Sequence, residues 1–495
     1  MSGPPTTARR DVSRDELPAA AAALLADGWR LALVAAHEDA EAFRVVHTWL
    51  RPVNQRTELT VRLPKDDGWL ASLASLSHPA GRFEREIRDL YGVTPLGHPQ
   101  PRRLVRHGHW PTGWHPMRAD ADPTPRFDPD IGSYPFVEVT GDGVYEIPVG
   151  PIHAGLIEPG HFRFWVLGET ILRMKARLWF THRGVEKLFE GRPPANGIEL
   201  AERISGDTAV GHTLAYVMAV EQALGIEVDD PARATRALLL EAERLYNHVA
   251  DIGAIANDVG YGIAHAHTQR LRETLLRHNK TLTGHRLLRG GITLGGACLN
   301  AEPDLGLLRR VADELAEIVE IALANSVVAD RFTGTAVHPR EQAEHLDTLG
   351  YVTRASGRDL DARRDHPFLA LEGFTPVVET AGDVLARFTV RAREVAASVA
   401  LIEHLAPRTR GRPVGPPPTT PTGDPQAGLG VVEAWRGTLC TRVELAADGR
   451  LTRVKVVDPS WFNWPALPMA LADTIVPDFP LANKSFNQSY AGNDL

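Results

Sequence analysis

Between Arg118 and Gly143 the chain reads "RADADPTPRFDPDIGSYPFVEVTGDG", rich in proline, aspartate and glycine and without a helical period. Such a run suits an extended connection, so it divides the chain into two patterned parts. Before it, "LPAAAAALLADGW" is helix-like, whereas "RLALVAA" and "RTELTVRL" alternate, which predicts a small α+β domain over residues 1–118. After it, Leu238, Ala242, Leu245, Val249 and Ile252 recur at spacings of four and three, and Leu308, Val311, Leu315, Ile318 and Ala322 repeat the pattern. Apolar stripes of this kind imply a helical bundle core. The expected organisation is therefore an α+β chain: domain 1–118, an extended connection 119–143, and a mainly helical domain 144–495. At 495 residues there is ample length for two cores.

Near the C-terminus the pattern changes again. "GRPVGPPPTTPTGDPQAGLG", Gly411 to Gly430, reads as a surface strap or a linker, and "TRVELAADGRLTRVKVV" alternates around Asp448-Gly449 as a β-hairpin would.

Composition excludes several functions. A net charge of −8, from 62 acidic and 54 basic residues, gives no basic field for nucleic acid. Two cysteines, Cys298 and Cys440, cannot build a disulfide scaffold, a zinc site or an iron-sulfur cluster within the chain. Both read as small buried hydrophobes. No run approaches the roughly 20 apolar residues of a membrane span, and the start has no apolar signal core. The expectation is a cytoplasmic protein that reaches a membrane only through partners.

There is no P-loop, no dinucleotide-type glycine fingerprint and no serine-hydrolase elbow. The glycines of "RGGITLGG" read as a turn. The pairs His107/His109 and His265/His267 suggest metal only if they lie on strands or loops, since on a helix residues i and i+2 face apart. "FTHRGVEKLFEGRP" packs His182, Arg183, Glu186 and Lys187 between apolar residues. If "ELAERISGDTAVGHTLAYVMAVEQALG" is helical, Ser205, Thr208 and His212 share one face, either as part of a cavity or as a capping cluster.

At these residues the chain resembles the large-subunit family shared by membrane-bound nickel-iron hydrogenases of the formate hydrogenlyase and hydrogenase-4 type and by the quinone-site subunit of respiratory complex I. The first domain resembles the small complex I subunit often fused ahead of the large one, through "FEREIRDLYGVTPLGHPQPRRLVRHGHWPTGWHPMR" (83–118). There the charged pairs Glu84/Arg85 and Arg102/Arg103 suit a docking surface. The second domain matches at "VGPIHAGLIEPGHFRF" (149–164), "HRGVEKLFEGRP" (182–193), "ERISGDTAVGH" (202–212) and "DPSWFNWPALPMALADTIVPDFPLANKSF" (458–486).

In active members of that family one Cys-x-x-Cys pair follows the Glu-Arg matched by Glu202-Arg203, and a second lies near the C-terminus. Four thiolates there hold the soft metal pair, which neutral hydroxyls cannot do comparably. Here the first pair is replaced by Ser205 and Thr208, and the second, within "NQSYAGND", by Ser489 and Gly492. The terminus therefore resembles a ligand loop emptied of ligands, with little or nothing left to remove after Leu495. The resemblance implies a cavity facing an iron-sulfur cluster held by a neighbouring small subunit.

Residue by residue, it implies that Arg183 lies near that cluster, with Glu186 close to the old metal site. It implies that His153 and His161 belong to the loop that reaches a quinone head group. The tyrosine that complex I places in this cavity falls at Gly206, and "LIEPG" lengthens the histidine loop. Asp207 and Asp494, if buried with Arg183, Arg203 and His212, would make either a proton-transfer network or a structural ion-pair core.

The reading is a catalytic-type subunit of a complex I-like, hydrogenase-4-related oxidoreductase of the NADH:quinone oxidoreductase kind. It would work with a cluster-bearing small subunit, a ferredoxin-like subunit and antiporter-like membrane subunits. A non-redox scaffold and a true nickel-iron hydrogenase are the alternatives.

Overall fold

A computed structural model describes residues 7–129, 134–153, 157–409 and 426–495. The alternating segments of the first part form a four-stranded sheet from Thr7–Asp11, Arg30–Glu38, Ala42–Arg51 and Gln55–Pro64. The last three strands are antiparallel to their neighbours, and the first lies parallel beside Gln55–Pro64. Helices Leu17–Ala26 and His78–Tyr91 accompany it.

Alternation predicts one wet face for this sheet, yet Arg56 and Glu58 on its polar face are buried. The C-terminal sheet explains this. Arg442 Nε donates to Glu58 Oε1 at 2.7 Å, Arg56 Nη1 donates to Leu429 O at 2.7 Å, and Arg44 pairs with Glu444 at 2.8 Å. The polar face is thus an intramolecular seam built from paired charge. Glu84 is likewise turned inward and offers no docking surface: it accepts Ser72 Oγ at 2.5 Å and Leu73 N at 2.6 Å, and burial pushes its carboxyl up to about 7. Arg85 donates to the carbonyls of Arg102 and Arg103.

Among the described residues neither helix nor strand occurs between Leu96 and Val144. The connection is bonded along the first part: Ala119 N donates to Glu38 Oε2 at 2.6 Å and Asp128 N to His109 O at 2.8 Å. The three-stranded antiparallel sheet Val144–Val149, His161–Leu167 and Thr170–Arg177 follows. One hydrophobic core runs through both sequence-defined parts, joining Leu33, Trp49 and Phe83 to Phe162, Trp435 and Trp461. The break in sequence pattern is therefore not a break in packing.

A second core belongs to the helices Ala209–Leu224, Asp230–Asn257, Gly262–Thr283, Leu305–Ala324 and Val384–Leu405. The stripe Leu308, Val311, Leu315 and Ala322 is buried along one side of its helix, and Leu238 to Ile252 line a helix buried nearly all round. The final sheet, Gln426–Ala434, Gly437–Leu445 and Leu451–Val457, contains the predicted hairpin at Asp448-Gly449. Its first strand lies directly on helix Ala209–Leu224, because Gly428 and Gly430 carry no Cβ; one there would overlap the carbonyl oxygens of Ala219 and Ala215. Most of the proline-rich strap, residues 411–425, lies outside the described residues.

Cys440 is buried, its thiol pushed up to about 11 by desolvation, whereas Cys298 is half-buried instead of buried. His265 and His267 sit on a helix and face apart. "RGGITLGG" makes a two-stranded turn. Among the described residues no helix is long and apolar enough to cross a membrane.

Candidate functional site

Helix Ala209–Leu224 begins at Ala209, so Ser205 and Thr208 lie on the turn before it and share no helical face with His212. What gathers this turn is Asp207. Its Oδ1 accepts the Ser205 and Thr208 hydroxyls, each at 2.9 Å, and Arg436 donates to both carboxylate oxygens at 2.7 and 2.6 Å. Burial pushes the Asp207 carboxyl up, but the Arg436 guanidinium and the two hydroxyls outweigh this and hold it at about 2. Arg436 stacks on Trp435 at 3.9 Å, and Trp435 Nε1 donates to Asp207 O at 3.0 Å. Trp435 and Arg436 occupy the tight turn between the first two strands of the final sheet, which aims both at the 205–208 turn.

The terminal tail closes over this group. Ser489 Oγ lies 2.8 Å from Ser205 Oγ and accepts Gly492 N at 2.8 Å, while Arg436 Nε donates to Asn487 O at 2.7 Å. His212 Nε2 is 3.0 Å from Asp458 Oδ2, both side chains fully buried. Asp458 Oδ2 stands 2.7 Å from the point a Cβ on Gly492 would occupy.

Arg183 joins the two halves. Its backbone N donates to Leu495 O at 2.7 Å, and its exposed guanidinium donates to Arg203 O and Ile204 O at 3.1 and 2.7 Å, beside Ser205. The loop of His153 reaches the same tail: His153 Nε2 is 2.7 Å from Gly160 O, and Glu158 Oε2 accepts Ala491 N at 3.0 Å. Ser205, Asp207, Thr208, Arg183, Ser489, Gly492 and the loop of His153 thus meet around one tail, with His212 behind them through Asp458.

The other residues point elsewhere. Arg203 is exposed and pairs with Glu199 at 3.0 Å. Glu186 is buried against Arg453 and Lys455 at 2.8 and 3.2 Å. Asp494 accepts Thr181 Oγ1 at 2.7 Å. The single network of Asp207, Asp494, Arg183, Arg203 and His212 is therefore not assembled, because each acid has a nearer partner. His161 Nδ1 lies 3.1 Å from Gly150 O, and its ring faces Phe136 instead of the tail.

A nickel-iron centre does not fit these residues. The Ser205, Thr208 and Ser489 hydroxyls are committed to one another and to Asp207, and a side chain at Gly492 would displace a buried, hydrogen-bonded Asp458. Among the described residues no group of three or more histidine, cysteine, aspartate or glutamate side chains is arranged to hold a metal ion.

Three stretches of the chain match family models. Residues 10–126 match the 30 Kd subunit of respiratory-chain NADH dehydrogenase and residues 258–419 its 49 Kd subunit. Residues 183–252, from Arg183 through the emptied turn, match nickel-dependent hydrogenase. Formate hydrogenlyase subunit 5 of Escherichia coli (strain K12) is 34% identical, the match covering 83% of this chain and 74% of that protein. This chain belongs to that family. Hydrogenase-4 component G of the same organism is 35% identical over 83% of this chain and 73% of its own length. Among solved structures, a chain of the membrane-bound sulfane sulfur reductase, an archaeal respiratory membrane complex, superimposes with a TM-score of 0.65 at 26% identity, covering 72% of this chain and 100% of that chain. The protein is accordingly a subunit of an oxidoreductase complex of the membrane-bound hydrogenase and complex I type.

Three residues of this cluster do not stand out in the sequence. Arg436 sits in an unflagged two-residue turn, Asp458 lies at the edge of a matched segment, and Glu158 lies inside the inserted "LIEPG". Their common signal is a charged residue within an apolar or turn setting, which only tertiary pairing turns into a site.

Proposed function

We propose that this subunit forms an acceptor site beside an iron-sulfur cluster held by a neighbouring small subunit, and that it passes electrons to a small-molecule acceptor, a quinone, without a nickel-iron centre. The observation that carries the reading is the replacement of the four ligand positions by a hydrogen-bonded knot, with an exposed Arg183 still bonded to both of its halves. A fixed cation at that place favours the reduced state of a nearby cluster and so raises its potential. His153, on a loop bonded to the tail, would donate a hydrogen bond or proton to a reduced oxygen after giving up its contact with the Gly160 carbonyl. Ferredoxin-like and antiporter-like membrane subunits would complete the complex, holding this chain at the inner face of the membrane and coupling electron flow to ion movement.

Electron paramagnetic resonance of the purified native complex tests this. After chemical reduction, addition of a quinone should oxidise the cluster signal nearest this subunit, and Arg183→Gln or His153→Ala should slow that oxidation by about tenfold or more. A cluster that stays reduced with every quinone tried, in an assembled complex, would sink the acceptor site and leave a scaffold role.

A further inference from the structure

Strand Thr170–Arg177 carries Arg173, Lys175 and Arg177 at alternate positions, so the three stand on one face of their sheet, while Met174 lies on the other, buried opposite Phe164. Directly across from Lys175 on the neighbouring strand stands Arg163, a placement in which like charges repel. The segment 101–106 runs alongside, because Arg177 Nη2 donates to Arg106 O at 2.8 Å. Helix His78–Tyr91 brings two more cations to that segment: Arg85 Nε donates to Arg102 O at 2.7 Å, and Arg88 Nη1 donates to Pro101 O. Arg85, Arg88, Arg102, Arg173 and Lys175 thus form one half-buried basic face. In a chain of net charge −8 it is a local reversal of sign.

Among the described residues no carboxylate pairs with any of these five. Glu84 is held by Ser72 and Leu73, and Glu86 by Lys455 at 2.8 Å. Asp89 Oδ2 accepts the backbone N–H groups of Leu104, Val105 and Arg106 at 2.7, 2.9 and 3.1 Å, and Glu146 pairs with Arg163 at 3.3 Å. The bonds of Arg85, Arg88 and Arg102 end on carbonyl oxygens, which satisfy donors without cancelling charge. Lys175 Nζ and the Arg173 guanidinium make no hydrogen bond and no ion pair among the described residues. Burial, and then Arg173, Arg102 and Arg85, hold the Lys175 ammonium below the usual lysine range. Cations crowded in this way repel one another in the isolated chain, and an anion placed among them removes the penalty.

We propose that this face docks an acidic segment of a partner subunit, whose carboxylates reach Lys175 Nζ and the Arg173 guanidinium. The two cations repeat along the strand at ~7 Å, a spacing that successive carboxylates on one side of a protein segment can match. Lys175 is half-buried among its neighbours, so its counter-charge has to project inward, as an aspartate or glutamate side chain does and a flat layer of lipid headgroups does not. The inference needs only that the chain works within a complex. It does not rest on the electron-transfer reading, since Arg183, His153 and Asp207 take no part in it.

Lysine acetylation read by mass spectrometry, on the free full chain and on the purified native complex, tests the proposal. Lys175 should be labelled in the free chain and protected in the complex, and a carbodiimide should join its amine to an aspartate or glutamate of another subunit. Arg173→Glu should weaken retention of that subunit by about tenfold or more, with release at lower salt, whereas Lys175→Arg, which keeps the charge, should retain it. The proposal is overturned if Lys175 is labelled equally in both preparations, if the carbodiimide links it only within its own chain, or if Arg173→Glu and Lys175→Glu both keep every subunit at all salt concentrations. Protection by phosphatidylserine vesicles, with Lys175 open in the detergent-purified complex, would assign the face to lipid and overturn it as well.

Discussion

Replacing Arg354 by methionine should destabilise the protein by about 3–5 kcal/mol, the range for a buried ion pair that loses one partner. Arg354 is fully buried and pairs with Glu394 at 2.6 Å, Glu433 at 2.8 Å and Asp361 at 3.3 Å. Arg363 and Arg244 complete the cluster, reaching Glu241, Asp361 and Glu394. Three cations thus face four carboxylates, and His248 adds a bond to Glu394 at 2.7 Å. Without Arg354, two cations remain for the same four acids in a medium that cannot solvate the excess. Burial pushes Glu394 up, yet Arg354, His248 and Arg363 hold it well below the usual carboxylate range. Its stabilisation is therefore present above the unfolded carboxyl pKa and is lost as pH falls through the lower folded value. In the variant the folded value rises, so acid unfolding should begin at higher pH. Urea unfolding checks the magnitude, with Arg393→Met as control. Arg393 pairs with Glu379 at 2.6 Å but is 57% exposed, and should cost no more than about 0.5 kcal/mol. Equal effects from the two substitutions would show that the cluster does not hold the bundle.

That cluster marks where the sequence stops being legible. The stripe Leu308, Val311, Leu315, Ile318 and Ala322 and the hairpin at Asp448-Gly449 follow from local period and turn chemistry; the hairpin stands as read, and all of the stripe is buried except Ile318, which is partly buried. Arg56 and Glu58 lie on the polar side of an alternating strand, and Glu84 reads as part of a docking surface, yet all three are buried. Period reports which face is polar, but only tertiary pairing with Leu429 and Arg442, or with a backbone N–H, makes a polar face an interior one. The site divides the same way. The positions 205, 208, 489 and 492 were visible as a pattern of substitutions, and the structure brings the hydroxyls at the first three together and sets Gly492 on Ser489. The partners of Asp207 and His212 were not visible, because Arg436 and Asp458 come from strand ends more than two hundred residues away.

Arg436→Leu is the second large effect, about 3 kcal/mol at neutral pH, at the lower end of the range for buried pairs because Asp207 keeps 39% of its side chain exposed. One guanidinium there holds three things: the Asp207 carboxylate, the Asn487 carbonyl of the tail, and the face of Trp435. Loss of stability should therefore be accompanied by faster amide exchange from Asn487 to Leu495. The pH dependence has a definite sign. With Arg436 present the Asp207 pKa is lowered to about 2, so its contribution is complete above the unfolded value, about 3.9, and fades between pH 4 and pH 2. Without Arg436 the folded pKa loses its largest lowering influence and rises toward the unfolded value, so the difference between wild type and variant should shrink as pH falls through that window. Asp207→Asn, which keeps the shape and removes the charge, should show the same shrinking difference. The double variant should cost less than the sum of the singles, by a coupling of about 1–3 kcal/mol. Additive singles would mean that Arg436 acts on the tail alone. In the assembled complex the same comparison separates architecture from chemistry. If slowing of cluster reoxidation by Asp207→Asn follows the loss of tail protection, the pair only shapes the site, whereas slowing with the tail still protected assigns the carboxylate itself to the reaction.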